Sequence, residues 1–333
     1  MTIVAISHRE DDLARFFHPD DLARLRAVAE VRSIGRKDDP GFRDHLAEAD
    51  ILLGSWGVPA LDEALLAAAP RLRAVCYAAG SVKGFVTEAS YARGVLITTA
   101  MHANAIPVAQ WTLALITLIN KGYFTTRAAI AGGGLPAFKD SKGSTTFPGN
   151  YRNAVVGIIG FGAIGRLVVQ GCTAMDLTVL VADPVADPAA IAAAGAEHVS
   201  LIDCARRSHV LSLHAPNIDA CAGMINAEVL TAMPEGSTFI NTARGRIVDE
   251  PALIAELRRG RITAHLDVTW PEPPEPDSPL WTLPNVHLTP PRAGSLSGEI
   301  QRMGELAIDE CLAVIAGRSP RYAVTQAMLA TMA

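Results

Sequence analysis

Three glycines, Gly160, Gly162 and Gly165, stand at the spacing GxGxxG, and an acid, Asp183, follows 18 residues beyond the last of them. That pattern suits a dinucleotide. Gly160 makes a tight turn, Gly162 lets the backbone approach a pyrophosphate, and Gly165 lets a helix lie close on its strand. Backbone N–H groups at the helix start, around Ala163 and Ile164, then meet the phosphates. Asp183 falls where a carboxylate reaches the adenosine ribose hydroxyls. The next residues are Pro184 and Val185 rather than Arg or Lys. A 2′-phosphate would face negative charge there with no partner, so NAD is expected over NADP. The glycine spacing alone is weak, because glycines also punctuate loops. Its weight comes from context: Val155–Ile159 reads as a buried strand, Arg166–Met175 as a helix, and Leu177–Ala182 as a second strand closed by Asp183.

The same rhythm organises the rest of the chain. Strands are expected at Ile3–Ile6, Val31–Ile34, Ile51–Ser55, Ala74–Ala78 and Val95–Thr98, with helices near Pro19–Ala29, Gly41–Ala47, Pro59–Ala68 and Thr87–Ala92. Alternation of this kind predicts a parallel sheet covered on both faces. This stretch lacks GxGxxG, so it is not the nucleotide half. His102-Ala103-Asn104 reads as a helix cap, ahead of a long helix from Pro107 to about Asn120 with proline in its first turn. Residues 122–150 are rich in Gly, Ser, Thr and Lys and show little periodicity; they read as a surface arm or subunit contact, or equally as a flexible lid. After Asp183, strands are expected at His198–Ser200, Val210–Leu213, Thr238–Asn241, Ala264–Val268 and Val286–Thr289, then a helix from Ser297 to Ala316 that returns to the first domain. The expected class is α/β, with two Rossmann-like or flavodoxin-like parallel-sheet domains. Residues 1–103 with 295–333 form one, which is discontinuous; residues 104–294 form the nucleotide domain, with an arm at about 120–150.

Composition narrows the function. The chain has 333 residues, half of them hydrophobic and 19% charged, which fits a two-domain globular enzyme. A net charge of −5 with no basic run argues against nucleic acid or an anionic membrane as partner. The start, MTIVAISHRED, carries acids where a secretion signal needs an apolar stretch, and the apolar run Trp111–Ile119 is short for a bilayer span. Five scattered cysteines, without CxxC spacing, read as reduced and mostly buried thiols of a cytoplasmic protein. No metal-ligand spacing is evident.

Four further clusters follow expected strand ends in the nucleotide half, where open α/β sheets place their sites. They are Ser212-Leu213-His214-Ala215-Pro216, Asn241-Thr242-Ala243-Arg244-Gly245, Leu266-Asp267-Val268 with Glu272-Pro273, and Asn285 to Gly294. With VGIIGFGAIG, SLHAP, INTARGRIVDEPAL, LDVTWPEP and NVHLTP in order, the chain resembles the D-isomer-specific 2-hydroxyacid dehydrogenases over essentially its full length. The resemblance implies NAD, a small 2-oxo or 2-hydroxy acid substrate, and a homodimer built on the nucleotide domain. It assigns Arg244 to the substrate's carboxylate and carbonyl, a task a guanidinium fork suits, with a surface ion pair as the alternative. Glu272 corresponds to the acid that holds a histidine protonated and correctly turned. Asp267 corresponds to an acceptor for the nicotinamide carboxamide, or serves as a strand-end acceptor. His214, Ala215, Pro216, Thr242 and Ala243 fall beside the cofactor, His214 having a purely structural alternative. In the first domain, Gly80 and Ser81 match a loop whose N–H groups meet the substrate carboxylate. Trp56 either walls the substrate or packs the surface.

One position departs from that pattern. The family's Thr-Pro-His is Thr289-Pro290-Pro291 here. Proline can neither give nor take a proton, and loss of a general acid costs on the order of 10² to 10⁴ in rate. His102, Arg292 and an ordered water are the replacements to weigh, whereas His265 and His287 sit inside strands and are expected to pack. Three readings follow: a dehydrogenase with altered proton transfer, a scaffold turned to non-redox or unusual-substrate chemistry, and a non-catalytic NAD-binding protein.

Overall fold

The computed structural model describes residues 1–142 and 146–332. Two compact units emerge, Met1–Asn104 with Ser295–Ala333, and Ala105–Gly294. In the first, β1 (Ile3–Ile6), β2 (Glu30–Ser33), β3 (Ile51–Gly54), β4 (Ala74–Tyr77) and β5 (Leu96–Thr99) form one parallel sheet in the order β2-β1-β3-β4-β5. That is the flavodoxin-like doubly wound order. Every residue of β1, β3 and β4 is buried, so these strands read as unbroken apolar runs rather than alternating ones. Phe42, Leu46, Leu65 and Leu66 cover one face, and Phe17, Leu25, Met303 and Ile308 the other. The last two lie on the helix Ile300–Ile315, which docks closely because Gly304 has no side chain. A Cβ there would stand 1.9 Å from the Phe16 carbonyl oxygen.

The second unit holds β6 (Val155–Ile159), β7 (Thr178–Ala182), β8 (Glu197–His198), β9 (Val210–Leu213), β10 (Thr238–Asn241), β11 (Thr263–Leu266) and β12 (Val286–Leu288). Their order is β12-β11-β10-β9-β6-β7-β8, parallel throughout. Counted from β6, this is the Rossmann order with one strand added at the edge. The strand order reverses between β6 and β9. Loops leaving those two strands therefore open a crevice at the carboxyl end of the sheet, the usual ligand position in such folds.

Three expectations need correction. The long helix runs over Met101–Asn120, so Pro107 lies inside it and His102-Ala103-Asn104 belongs to its first turn rather than to a cap. Thr99 sets the start, its Oγ1 accepting from the Met101 N–H at 3.1 Å. Proline within a helix forfeits one N–H bond to the carbonyl four residues earlier. At 20 residues and a mean hydropathy of 1.2, this helix is long and apolar enough to cross a bilayer, unlike the shorter run read from the sequence. Ala109 and Ile116 on it pack with Val168 and Val169 in the core of the second unit, which accounts for its apolar face.

Second, part of the stretch 122–150 is a helix, Tyr123–Ser141, broken at Gly134 (φ 57°, ψ −138°). Residues 143–145 of that stretch lie outside those described. Third, the helix after the glycine loop starts at Ala163, directly behind Gly162, instead of at Arg166.

Candidate active site

The crevice is built on close backbone approaches. Gly160 turns at φ +96°, and a Cβ there would stand 2.8 Å from the backbone of His214 and Ala215. At Gly165 it would stand 2.0 Å from the Gly160 carbonyl oxygen. These two glycines press the turn onto the loop after β9 and the helix onto its strand. Gly162 differs: among the described residues nothing lies within 4 Å of its Cβ position. The helix Ala163–Ala174 begins there without a side-chain cap, so its first N–H groups face an open cradle of the kind that takes a phosphate. Asp183 closes β7 beside it. Its carboxylate accepts from the N–H of Phe161 at 2.7 Å and from those of Val185 and Ala186 at 2.9 and 3.0 Å. One acid thus ties the glycine loop to the end of β7. This arrangement fits a dinucleotide.

His214 follows β9, its Nε2 2.9 Å from Ser212 Oγ and its Nδ1 buried without a partner among the described residues. Burial pushes its pKa down to about 3, so the ring is neutral at pH 7 and contributes shape rather than charge. Ala215 and Pro216 continue that loop along the glycine turn.

After β10, Asn241 organises the chain. Its Oδ1 accepts from the Ala243 N–H at 3.0 Å, and its Nδ2 donates to the Arg244 carbonyl at 3.1 Å. Thr242 buries a hydroxyl with no partner among the described residues. Arg244 is exposed, and its guanidinium donates to the Ala243 carbonyl at 2.6 Å. Neighbouring Arg246 is ion-paired with Asp219 at 2.7 Å. Arg244 makes no ion pair with an acid among the described residues. Gly245 then brings this loop against the next one: a Cβ would lie 2.0 Å from the Thr269 carbonyl group. Glu250 adds a tie by accepting from the Trp270 N–H at 3.1 Å.

Asp267, after β11, is buried and accepts from Thr289 Oγ1 at 2.8 Å and from the N–H groups of Arg292 and Ala293 at 2.8 and 2.9 Å. The strand-end acceptor role is thus filled: this carboxylate clamps both sides of Pro290-Pro291. Charge-assisted hydrogen bonds of this kind contribute about 1.5–3 kcal/mol each. Glu272 and Pro291 share the wall of a cavity of 680 Å³ with Thr289, Pro290 and Trp281. Glu272 itself is exposed. Arg244, Glu272 and Pro291 therefore stand on three loops at one end of the sheet.

Trp56, Gly80 and Ser81 belong to the other unit, on the loops after β3 and β4. The Ala78 N–H donates to the Gly54 carbonyl at 2.7 Å, setting those loops side by side. Thr99 Oγ1 donates to the carbonyls of Ala79 and Gly80. Trp56 is 52% exposed.

None of the side chains weighed as a substitute acid is suited to the work. His102 stacks on Tyr322 at 4.4 Å, and burial together with Arg321 lowers its pKa. Arg292 carries a guanidinium, which does not deprotonate in proteins. His265 and His287 stack on each other at 4.3 Å and against Phe124, as their strand positions lead one to expect. Asn241, Gly245, Glu250 and Thr289 stand inside motifs legible in the sequence, but the sequence assigns none of them a role. An asparagine at a strand end, ready to bond its own backbone two residues on, is the one local signal among them.

A Rossmann-ordered sheet with a glycine cradle at its switch point defines an NAD-type dinucleotide-binding protein. The model of the D-isomer specific 2-hydroxyacid dehydrogenase NAD-binding domain matches residues 114–293. The chain belongs to that family, and its cofactor is NAD. It is 33% identical over 300 residues to a D-3-phosphoglycerate dehydrogenase of Mycobacterium tuberculosis, covering 90% of this chain and 55% of that protein. It thus spans about half the length of such relatives. A glyoxylate/hydroxypyruvate reductase B of Yersinia enterocolitica is 30% identical over 293 residues, covering 87% of this chain and 88% of the other. The fold is also that of Rhodotorula graminis D-mandelate dehydrogenase, with a TM-score of 0.80 at 22% identity over 98% of each chain.

Proposed function

We propose that the chain interconverts a small 2-oxo acid and its 2-hydroxy acid with NAD, using a water molecule where relatives use histidine. The observation that carries this is Arg244, an exposed guanidinium with no acid partner among the described residues, on the loop packed against the one bearing Glu272. Gly160, Gly162, Gly165 and the N–H groups of Ala163 and Ile164 would hold the diphosphate, and Asp183 the ribose. His214, Ala215, Pro216, Thr242 and Ala243 would line the remaining length, with Asp267 fixing the loop beside the nicotinamide. Bound NADH would supply the hydride. Arg244 holds the substrate's carboxylate and carbonyl oxygen and stabilises the charge that grows on that oxygen. Glu272, which is exposed, orients a water in the 680 Å³ cavity, and that water relays a proton from bulk solvent to the new alkoxide, so that no hydroxide is left behind.

Pro291 itself favours a second reading, non-redox chemistry on the same scaffold. NADH absorbance followed with glyoxylate, pyruvate, hydroxypyruvate and phenylpyruvate separates the two. Turnover with any of them supports the first; tight NADH binding with turnover of none supports the second.

A homodimer belongs to the proposal. Leu135 and Phe138 on the helical arm are 64% and 55% exposed, and a cavity of 610 Å³ lined by Trp111, Leu115, Leu118 and Phe124 lies in the same unit. A second copy would cover these. Cysteine usage, with four of the five buried, supports a cytoplasmic setting.

A further inference from the structure

The helix that starts behind Gly162 opens without charge: Ala163, Ile164 and Gly165 come first, and Arg166 follows. Arg166 is exposed, and its guanidinium lies over the Phe161 ring, 4.2 Å from the centroid. That ring belongs to the glycine turn itself, between Gly160 and Gly162. It is packed into the core at 3% exposure, and the Phe161 N–H donates to Asp183 at 2.7 Å. The Arg166 side chain therefore runs back towards the start of its own helix, the direction in which helical side chains lean. Residue 163 lies one turn ahead on the same face, and alanine there leaves the way open.

Arg166 has no acid partner among the described residues. Other arginines on the surface of this unit do: Arg206 pairs with Asp203 at 3.1 Å, Arg207 with Glu197 at 2.6 Å and Arg246 with Asp219 at 2.7 Å. The cradle beside Arg166 is short of positive charge. A diphosphate is negative on each phosphate, and Asp183 adds a further acid next to it. The loop after β7 continues with Pro184 and Val185, and the loop after β9 with Ala215 and Pro216 behind a His214 that burial keeps uncharged. Helix N–H groups meet a phosphate with dipoles and bring no full counter-charge.

We infer that Arg166 pairs with the cofactor's diphosphate, supplying from one turn inside the helix the counter-charge that the glycine turn lacks, with the Phe161 ring holding the guanidinium beside that turn. This holds whatever the substrate is, and binding alone tests it. NADH is titrated calorimetrically into the full chain, and adenosine, which shares the base and ribose but has no phosphate, is scored by its displacement of NADH. Arg166→Met keeps an unbranched side chain for the Phe161 ring and removes the charge; Arg166→Lys keeps the charge. At about 20 mM salt, where screening is weak, Arg166→Met should bind NADH roughly tenfold more weakly than the wild type. The deficit should shrink to about threefold at about 0.5 M salt. Arg166→Lys should recover most of the loss, and adenosine should bind all three forms alike. Circular dichroism checks that both variants fold, as an exposed position allows. Unchanged NADH affinity in Arg166→Met overturns the pairing. A loss of adenosine in the same proportion overturns it as well, because Arg166 then only shapes the turn. So does a deficit that ignores salt, or one that Arg166→Lys shares in full.

Discussion

Replacing Pro291 with histidine puts the proton-transfer argument to its sharpest test. The substitution places an imidazole on the wall of a 680 Å³ cavity that already holds Glu272. A neighbouring carboxylate raises an imidazole pKa by about one unit, from about 6.5 to about 7.5. At pH 7.5 about half of the rings then carry the acid proton, against roughly a tenth without the carboxylate. Full general acid catalysis adds on the order of 10² to 10⁴. Asp267 clamps Thr289, Arg292 and Ala293, and Pro290 keeps its own φ fixed, so the ring enters a loop shaped around proline. A gain of about tenfold in kcat/KM for 2-oxo acid reduction is therefore expected, well below the full effect. Adding Glu272→Gln should remove about fivefold of it at pH 7.5. Pro291→Ala, which frees the loop without adding an acid, should gain little. The rate of Pro291→His should also decline above about pH 7.5, a limb that the wild type lacks. If Pro291→His binds NADH and substrate as the wild type does yet reduces no faster, the absent imidazole does not limit the reaction and the argument fails.

Other consequences can be checked independently. Asp183 should make NADH bind at least about tenfold more tightly than NADPH, and Asp183→Asn, which keeps an acceptor for the Phe161 N–H, should narrow that gap; equal binding of both by the wild type in fluorescence titrations contradicts the role given to Asp183. Light scattering should find a dimer at micromolar concentration and a monomer after Leu135→Glu with Phe138→Glu; a monomeric wild type refutes the assembly. Burial holds His8, His214 and His265 at about 4, 3 and 3, below the 6.5 of a free imidazole. Protons therefore bind the unfolded chain first, so stability is complete above pH 6.5 and declines as the pH falls towards 4, by about 1.4 kcal/mol per pH unit for each histidine. Urea midpoints that stay level from pH 7 to 4.5 would falsify this.

What the sequence made legible was local. β1, β6, β9 and β10 agree with expectation to the residue, because strands buried on both faces leave mostly apolar runs between turn residues. The glycine spacing and Asp183 were readable for the same reason. The helix Tyr123–Ser141 was not: it buries none of its residues, and three consecutive glycines and Pro136 interrupt any period. The short helix Leu13–Phe16 also escaped. Contacts that assemble the site reach across the sequence. Asp267 grips residues 22 to 26 positions away, and no local pattern announces that. Nor could periodicity reveal that His265 and His287 meet: only the register of β11 on β12, which pairs them directly, does so.

The contact at Gly245 bears on how such a site can be rebuilt or moved. With Thr269 occupying the space where a side chain would begin, and Glu250 bonded to the Trp270 N–H, residues 241–250 and 267–273 form a single casting. A grafting experiment that transplants the arginine loop alone onto another scaffold inherits a collision. One that carries both loops together brings its own fit. Even alanine at 245, the mildest change on paper, must push the two loops apart, and it would separate Arg244 from Glu272 without touching either.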